Sequence, residues 1–118
     1  WQWNRYTPLI ECNAGMRDGD WKLVRPQIRA AMEVPDIEWL RVSMYEYEYF
    51  LNHPIFTEDP PREVPAPPPA ELYHMKTDPG ETVNLAEQHP DITARMMRAL
   101  ETWFEEVEAE RRTIAEAW

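Results

Sequence analysis

The last third of the chain sets the first constraint on the fold. Ile92, Met96, Leu100, Trp103, Phe104 and Val107 recur at three- and four-residue spacing. That spacing lines one face of an α-helix, whose repeat is about 3.6 residues. Arg95, Arg98, Glu101, Glu105 and Glu108 fall mostly on the other side. So bulky a stripe needs a sheet face beneath it. Pro90 suits the first helical turn, where its missing N–H costs nothing, and Asp91 complements the positive end of the helix dipole. The pattern predicts a helix over 90–114, with Leu100 and Trp103 each contributing roughly 2 kcal/mol on burial.

Strands to meet that helix are legible in two places. In NAGMRDGDWKLV, residues 13–24, Asp18-Gly19 is a hairpin signal, because a type I′ turn needs positive φ at both central positions. Ala14 and Met16 lead into the turn; Trp21, Leu23 and Val24 lead out. In ELYHMKTDPGETVNLAEQHP, residues 71–90, Glu71–Met75 reads as a strand and Thr77–Glu81 as a turn. Pro79 fixes φ there and Gly80 supplies a permissive next residue. An aromatic opening of Trp1, Trp3 and Tyr6 reads as an edge strand. The predicted class is α+β, a small antiparallel sheet of three to four strands with a long C-terminal helix packed across one face.

Between these stretches, residues 26–70 read as an acidic, Pro-rich insertion wrapping outside the sheet. Ile37, Leu40, Met44, Tyr47 and Leu51 fit one helix face, with Asp36 as its cap. Tyr45, Tyr47 and Tyr49 alternate as a strand would, so helix and strand both stand for 37–51. Residues 54–69 hold seven prolines, which favour extended polyproline geometry. They form either a stiff strap returning the chain to the sheet or a ligand for a proline-recognising domain.

With 118 residues the chain is of one-domain size. Its net charge of −10 argues against nucleic acid, whose phosphates need a basic stripe, and against an anionic membrane surface. Cys12 is the single cysteine, so no internal disulfide forms. No run approaches the ~20 apolar residues of a membrane span. The chain begins at Trp1 rather than Met and reads as a fragment. A secreted, periplasmic or cytoplasmic location is compatible with it.

Chemistry-bearing patterns are few. His53, His74 and His89 are far apart and lack metal-ligand spacing. Cys12 has no adjacent base to activate it as a nucleophile. Glu105 and Glu106 sit on the predicted exposed helix face. The Tyr45–Tyr49 mixture of tyrosine and glutamate suits half-buried packing or a sugar-stacking surface. No phosphate loop or G-x-S-x-G elbow occurs.

Two stretches resemble the closing part of sulfatases. Asn13–Val24 is similar to a hairpin phrase of the form A-V-R-D-G-x-W-K-L-V. Glu71–Met97 is similar to the closing strand, turn and helix, which run E-L-Y-D-L, D-P-x-E, N-L-A and then a long helix. Both occur in the family's order, and with the rest of the helix they cover somewhat over half the chain. The resemblance implies a C-terminal accessory subdomain, spanning 1–118, of a sulfuric ester hydrolase. In that family a large N-terminal domain carries a formylglycine, made from Cys or Ser in a C/S-x-P-x-R motif, beside a calcium ion. Cys12 is followed by Asn13, Ala14 and Gly15, so the motif is not here. Formylglycine and calcium are therefore expected upstream, and the subdomain should be inactive alone.

The implied partner is the N-terminal catalytic domain of the same chain. Arg17, Lys22, Tyr73, Asp78, Pro79, Asn84 and Leu85 match the family phrases and read as fold-keeping residues. Trp3, Arg5, Tyr45 and Tyr47 are the candidate substrate-rim contacts. An isolated subdomain is expected to expose an apolar docking face and to self-associate through its sheet edge or aromatic opening. Two alternatives stay open: a free-standing acidic protein-interaction module, and the same subdomain of a related phosphonate or phosphate ester hydrolase.

Overall fold

The computed structural model describes residues 1–2, 7–33, 45, 46, 48, 51 and 61–116. Five elements follow one another: β1 (Ala14–Asp18), β2 (Trp21–Arg25), α1 (Arg29–Met32), β3 (Glu71–His74) and α2 (Pro90–Glu116). The strands form one antiparallel sheet in the order β1-β2-β3, and α2 crosses one face. This is the α+β architecture expected of the sequence. The expected edge strand is met in part, because Gln2 bridges to Ala14 on the outer side of β1. The predicted element at 37–51 lies outside the described residues except at positions 45, 46, 48 and 51.

Register explains which side chains meet the helix. Met16, Leu23 and Leu72 stand opposite one another across the three strands, and strand side chains alternate faces. Ala14, Leu23 and Leu72 join Met96 and Leu100 of α2 in the main core, with Met16, Trp21, Ala70, Ala86, Ile92 and Met97 packed around them. Trp21 also meets His74 edge-on at 4.8 Å and His89 at 5.0 Å. The indole thereby ties β2 and β3 to the helix entry. Ion pairs complete the frame: Arg25 with Glu101 at 2.7 Å, Arg95 with Asp18 at 2.6 Å, and Lys22 with Glu81.

Three local expectations are corrected. The hairpin closes on the Asp18–Trp21 pair, so Gly19 and Asp20 form the loop. Gly19 alone has positive φ, at 59°. That is the requirement of a type II′ turn, in which only the first central residue is left-handed. In the second turn Gly80 does not use its freedom; Glu81 is the left-handed residue, with φ 54°. Asp78 C=O accepts the Glu81 N–H at 3.1 Å, so Pro79 and Gly80 are the central residues. Negative φ at Gly80 is the type I pattern.

The third correction concerns α2. Met96 and Leu100 are buried, yet Trp103 is 41% exposed and Val107 is exposed. A 27-residue helix is about 40 Å long, whereas three strands lie side by side across only about 10 Å. The stripe therefore outruns the sheet. Conversely Glu108, expected on the solvent side, is only 7% exposed and accepts two charge-assisted bonds from Arg111 Nε and one from Nη2.

The start of the insertion is not purely external. Ile28 and Ala31, at and within α1, pack with Cys12 into a second small core flanked by Leu9 and Met32. Residues 61–69 follow an irregular, mostly exposed path and return the chain to β3.

Candidate functional site

The joint between β3 and α2 holds most of the polar geometry. The Asp78 carboxylate accepts the Thr82 N–H at 2.8 Å, the Val83 N–H at 2.9 Å and the Thr82 hydroxyl at 2.8 Å. Backbone donation from Thr82, then from Val83, holds its carboxyl below the ordinary carboxylate value. Asn84 Oδ1 accepts from Leu72 N–H and Ala86 N–H, each at 3.0 Å. Leu85 N–H donates to Leu72 C=O at 2.7 Å. The joint thus closes the outer edge of β3, which would otherwise present unpaired backbone.

Tyr73 lies on the opposite sheet face from Leu72. Its hydroxyl donates to Glu71 Oε2 at 2.5 Å. That bond, burial and the negative charges of Glu71, Glu81 and Asp78 push the phenol up to about 12. None of these groups forms a nucleophile–base pair; each bond is spent on turn or strand geometry.

Each of these two groups makes stability depend on pH. Asp78 gives stability that is present above its unfolded value and lost as pH falls through its lower folded value. Tyr73 gives stability that is full below its unfolded value near 10 and lost as pH rises toward about 12. In urea titrations across pH, Asp78→Ala is expected to flatten the acid limb and Tyr73→Phe the alkaline limb. Unchanged limbs in both variants would refute these assignments.

One groove is lined from three directions. Trp1 from the opening, Gly15, Met16 and Arg17 from β1, and Ala99, Leu100 and Trp103 from α2 enclose about 330 Å³. Gly15 is dictated by close approach, since a Cβ there would lie 2.7 Å from Trp1 Cε2. The groove offers two indoles and a guanidinium but no acid–base pair. Its chemistry is that of a binding surface. Its half-exposed Trp103 was not legible as a groove wall from the helical stripe, which marks apolarity and not the width of the sheet below.

Trp3, Arg5 and Tyr47 lie outside the described residues, as does His53. Tyr45 is 74% exposed. Cys12 is fully buried, which keeps its thiol away from any substrate. His74 Nδ1 sits 3.0 Å from Thr77 Oγ1, a local bond. Among the described residues no group of three His, Cys, Asp or Glu side chains could hold a metal ion. Among them, too, no helix is long and apolar enough to cross a membrane. Comparison with protein-family models, curated proteins and solved structures finds no match to this chain.

Proposed function

We propose that the chain is the C-terminal accessory subdomain of a sulfatase-type sulfuric ester hydrolase, supporting an active site that another part of the polypeptide supplies. One observation carries the reading. The two stretches that resemble sulfatases, Asn13–Val24 and Glu71–Met97, are far apart in sequence yet form one unit. The first supplies β1 and β2, and the second supplies β3, the joint and the start of α2. The matched polar residues act there as the reading requires: Lys22 pairs with Glu81, and Asp78 and Asn84 hold the joint. The formylglycine and calcium belong to the proposed upstream domain, and the substrate is a sulfate ester.

The test is the whole polypeptide. A C/S-x-P-x-R motif upstream of Trp1 and hydrolysis of an aryl sulfate, abolished by replacing the motif's Cys or Ser, are the expected results. A different upstream nucleophile with phosphate or phosphonate ester hydrolysis would assign the related enzyme class. A natural chain starting at Trp1 would overturn both in favour of an interaction module.

A further inference from the structure

Residues 63–69, on the return path to β3, are all exposed and make no backbone hydrogen bond. Every residue of 64–69 either is a proline or precedes one. Proline fixes φ at about −65° and pushes the residue before it into the extended region. The stretch is therefore held in polyproline geometry, with three residues per turn, by its own covalent structure. Val64, 40% exposed, then shares a face with Pro67, and Pro65 shares the next with Pro68. Both ends are anchored. Arg62 Nη2 donates to Thr7 C=O at 2.6 Å, and Ala70 packs against the main core. A ligand stiffened in this way loses little freedom when it is bound.

Charge flanks the ridge. Glu63 precedes it, and beside its far end a groove of about 450 Å³ separates Pro68 and Pro69 from the joint, with Glu71 and Glu87 on its walls. Glu71 accepts the Tyr73 hydroxyl. Glu63 and Glu87 are exposed and form no ion pair among the described residues.

We infer that 63–69 is a docking ridge for a second protein, a proline-recognising domain with an aromatic-lined groove and a basic flank. The pairs Val64-Pro65 and Pro67-Pro68 fill adjacent pockets of that groove, as P-x-x-P ligands do. Its tyrosine and tryptophan rings pack on the pyrrolidines while their O–H and N–H tips donate to the unbonded carbonyls. A lysine or arginine on its flank enters the groove beside Glu87. A second copy of this chain is the poorer occupant, since its own net charge of −10 repels the same acids. The inference is independent of the enzyme class.

The test titrates the 118-residue chain with two P-x-x-P-binding β-barrel domains, one with a basic flank and one with an acidic flank, and follows backbone amides by NMR. The basic-flanked domain is expected to shift the Val64, Ala66 and Glu87 amides saturably and to bind the tighter of the two. Replacing Pro65→Ala and Pro68→Ala together should weaken it about 10-fold. The urea midpoint should not move, because these side chains are exposed. Glu87→Lys should weaken the same domain about 3-fold, the scale of an exposed charge pair. Unshifted Val64 and Ala66 amides with both domains overturn the inference, as does tighter binding by the acidic-flanked one. Binding that survives the double proline replacement, or is indifferent to Glu87→Lys, also overturns it. So do shifts centred on Trp1 and Trp103, which would move the contact to the other groove. None of these results touches the sulfatase reading, which fails on the absence of an upstream C/S-x-P-x-R.

Discussion

Leu23→Ala is expected to lower the unfolding free energy by about 3 kcal/mol, within the usual range for emptying a buried leucine site. Leu23 is fully buried on the central strand, between Met16 and Leu72 in register and beneath Met96 and Leu100 of α2. Its removal opens a cavity bounded by both layers, and a three-stranded sheet under one helix has little material with which to fill it. Domains of this size are stable by only about 5–15 kcal/mol in total, so the loss is a large share. Urea unfolding should show a lower midpoint with an unchanged slope. Leu23→Met, which nearly conserves volume, should cost less than about 1.5 kcal/mol. An alanine variant as stable as the parent would mean that the two layers are not packed as described.

Asn84→Ala is expected to cost about 2 kcal/mol, although Asn84 itself is exposed. The amide oxygen is the acceptor for Leu72 N–H, and Leu72 is fully buried. Stranding a buried donor costs about 1–3 kcal/mol, more than the net worth of the bond itself. Ala86 N–H loses the same acceptor. Asn84→Asp keeps an acceptor oxygen in place and should retain most of the stability, which separates the lost bond from general damage. Exchange of the Leu72 amide should accelerate in the alanine variant and much less in the aspartate one. Equal losses in both would place the cost elsewhere.

These two sites mark the difference between what periodicity reveals and what it hides. Leu23, Leu72, Met96 and Leu100 were legible because alternation and three- or four-residue spacing reflect one-sided burial. The helix start at Pro90 and both turns were legible because proline and glycine restrict φ in known ways. The turn details were not. Asp-Gly marks a hairpin, but the ladder placed the loop one residue later, at Gly19–Asp20. Pro-Gly marks a bend, but the left-handed residue is Glu81, whose side chain is engaged by Lys22. Propensity reports which residue tolerates a conformation; pairing decides which residue must adopt it.

The candidate groove was less legible still. Trp1 and Trp103 are separated by nearly the whole chain, and no local pattern links them. Their meeting depends on sheet order and on the edge position of β1. The resemblance to sulfatases pointed to the hairpin and the joint, where fold-keeping bonds lie, and not to this edge.

The overhang of α2 beyond the sheet also orders how the molecule would come apart. Its early turns are held by Ile92, Met96, Met97 and Leu100 against the main core and by the Glu101–Arg25 pair. Farther along, Val107 and Ile114 are exposed, and the last turn carries no basic residue against the negative end of the dipole. Such a helix has two kinetic compartments within one continuous ladder. The turns beyond the buried Glu108 open first, on the free energy of fraying, while the proximal turns open only with the sheet. A protease would therefore shorten this protein from its last helical turns inward and slow near the buried Glu108, leaving the three strands and their covering turns intact.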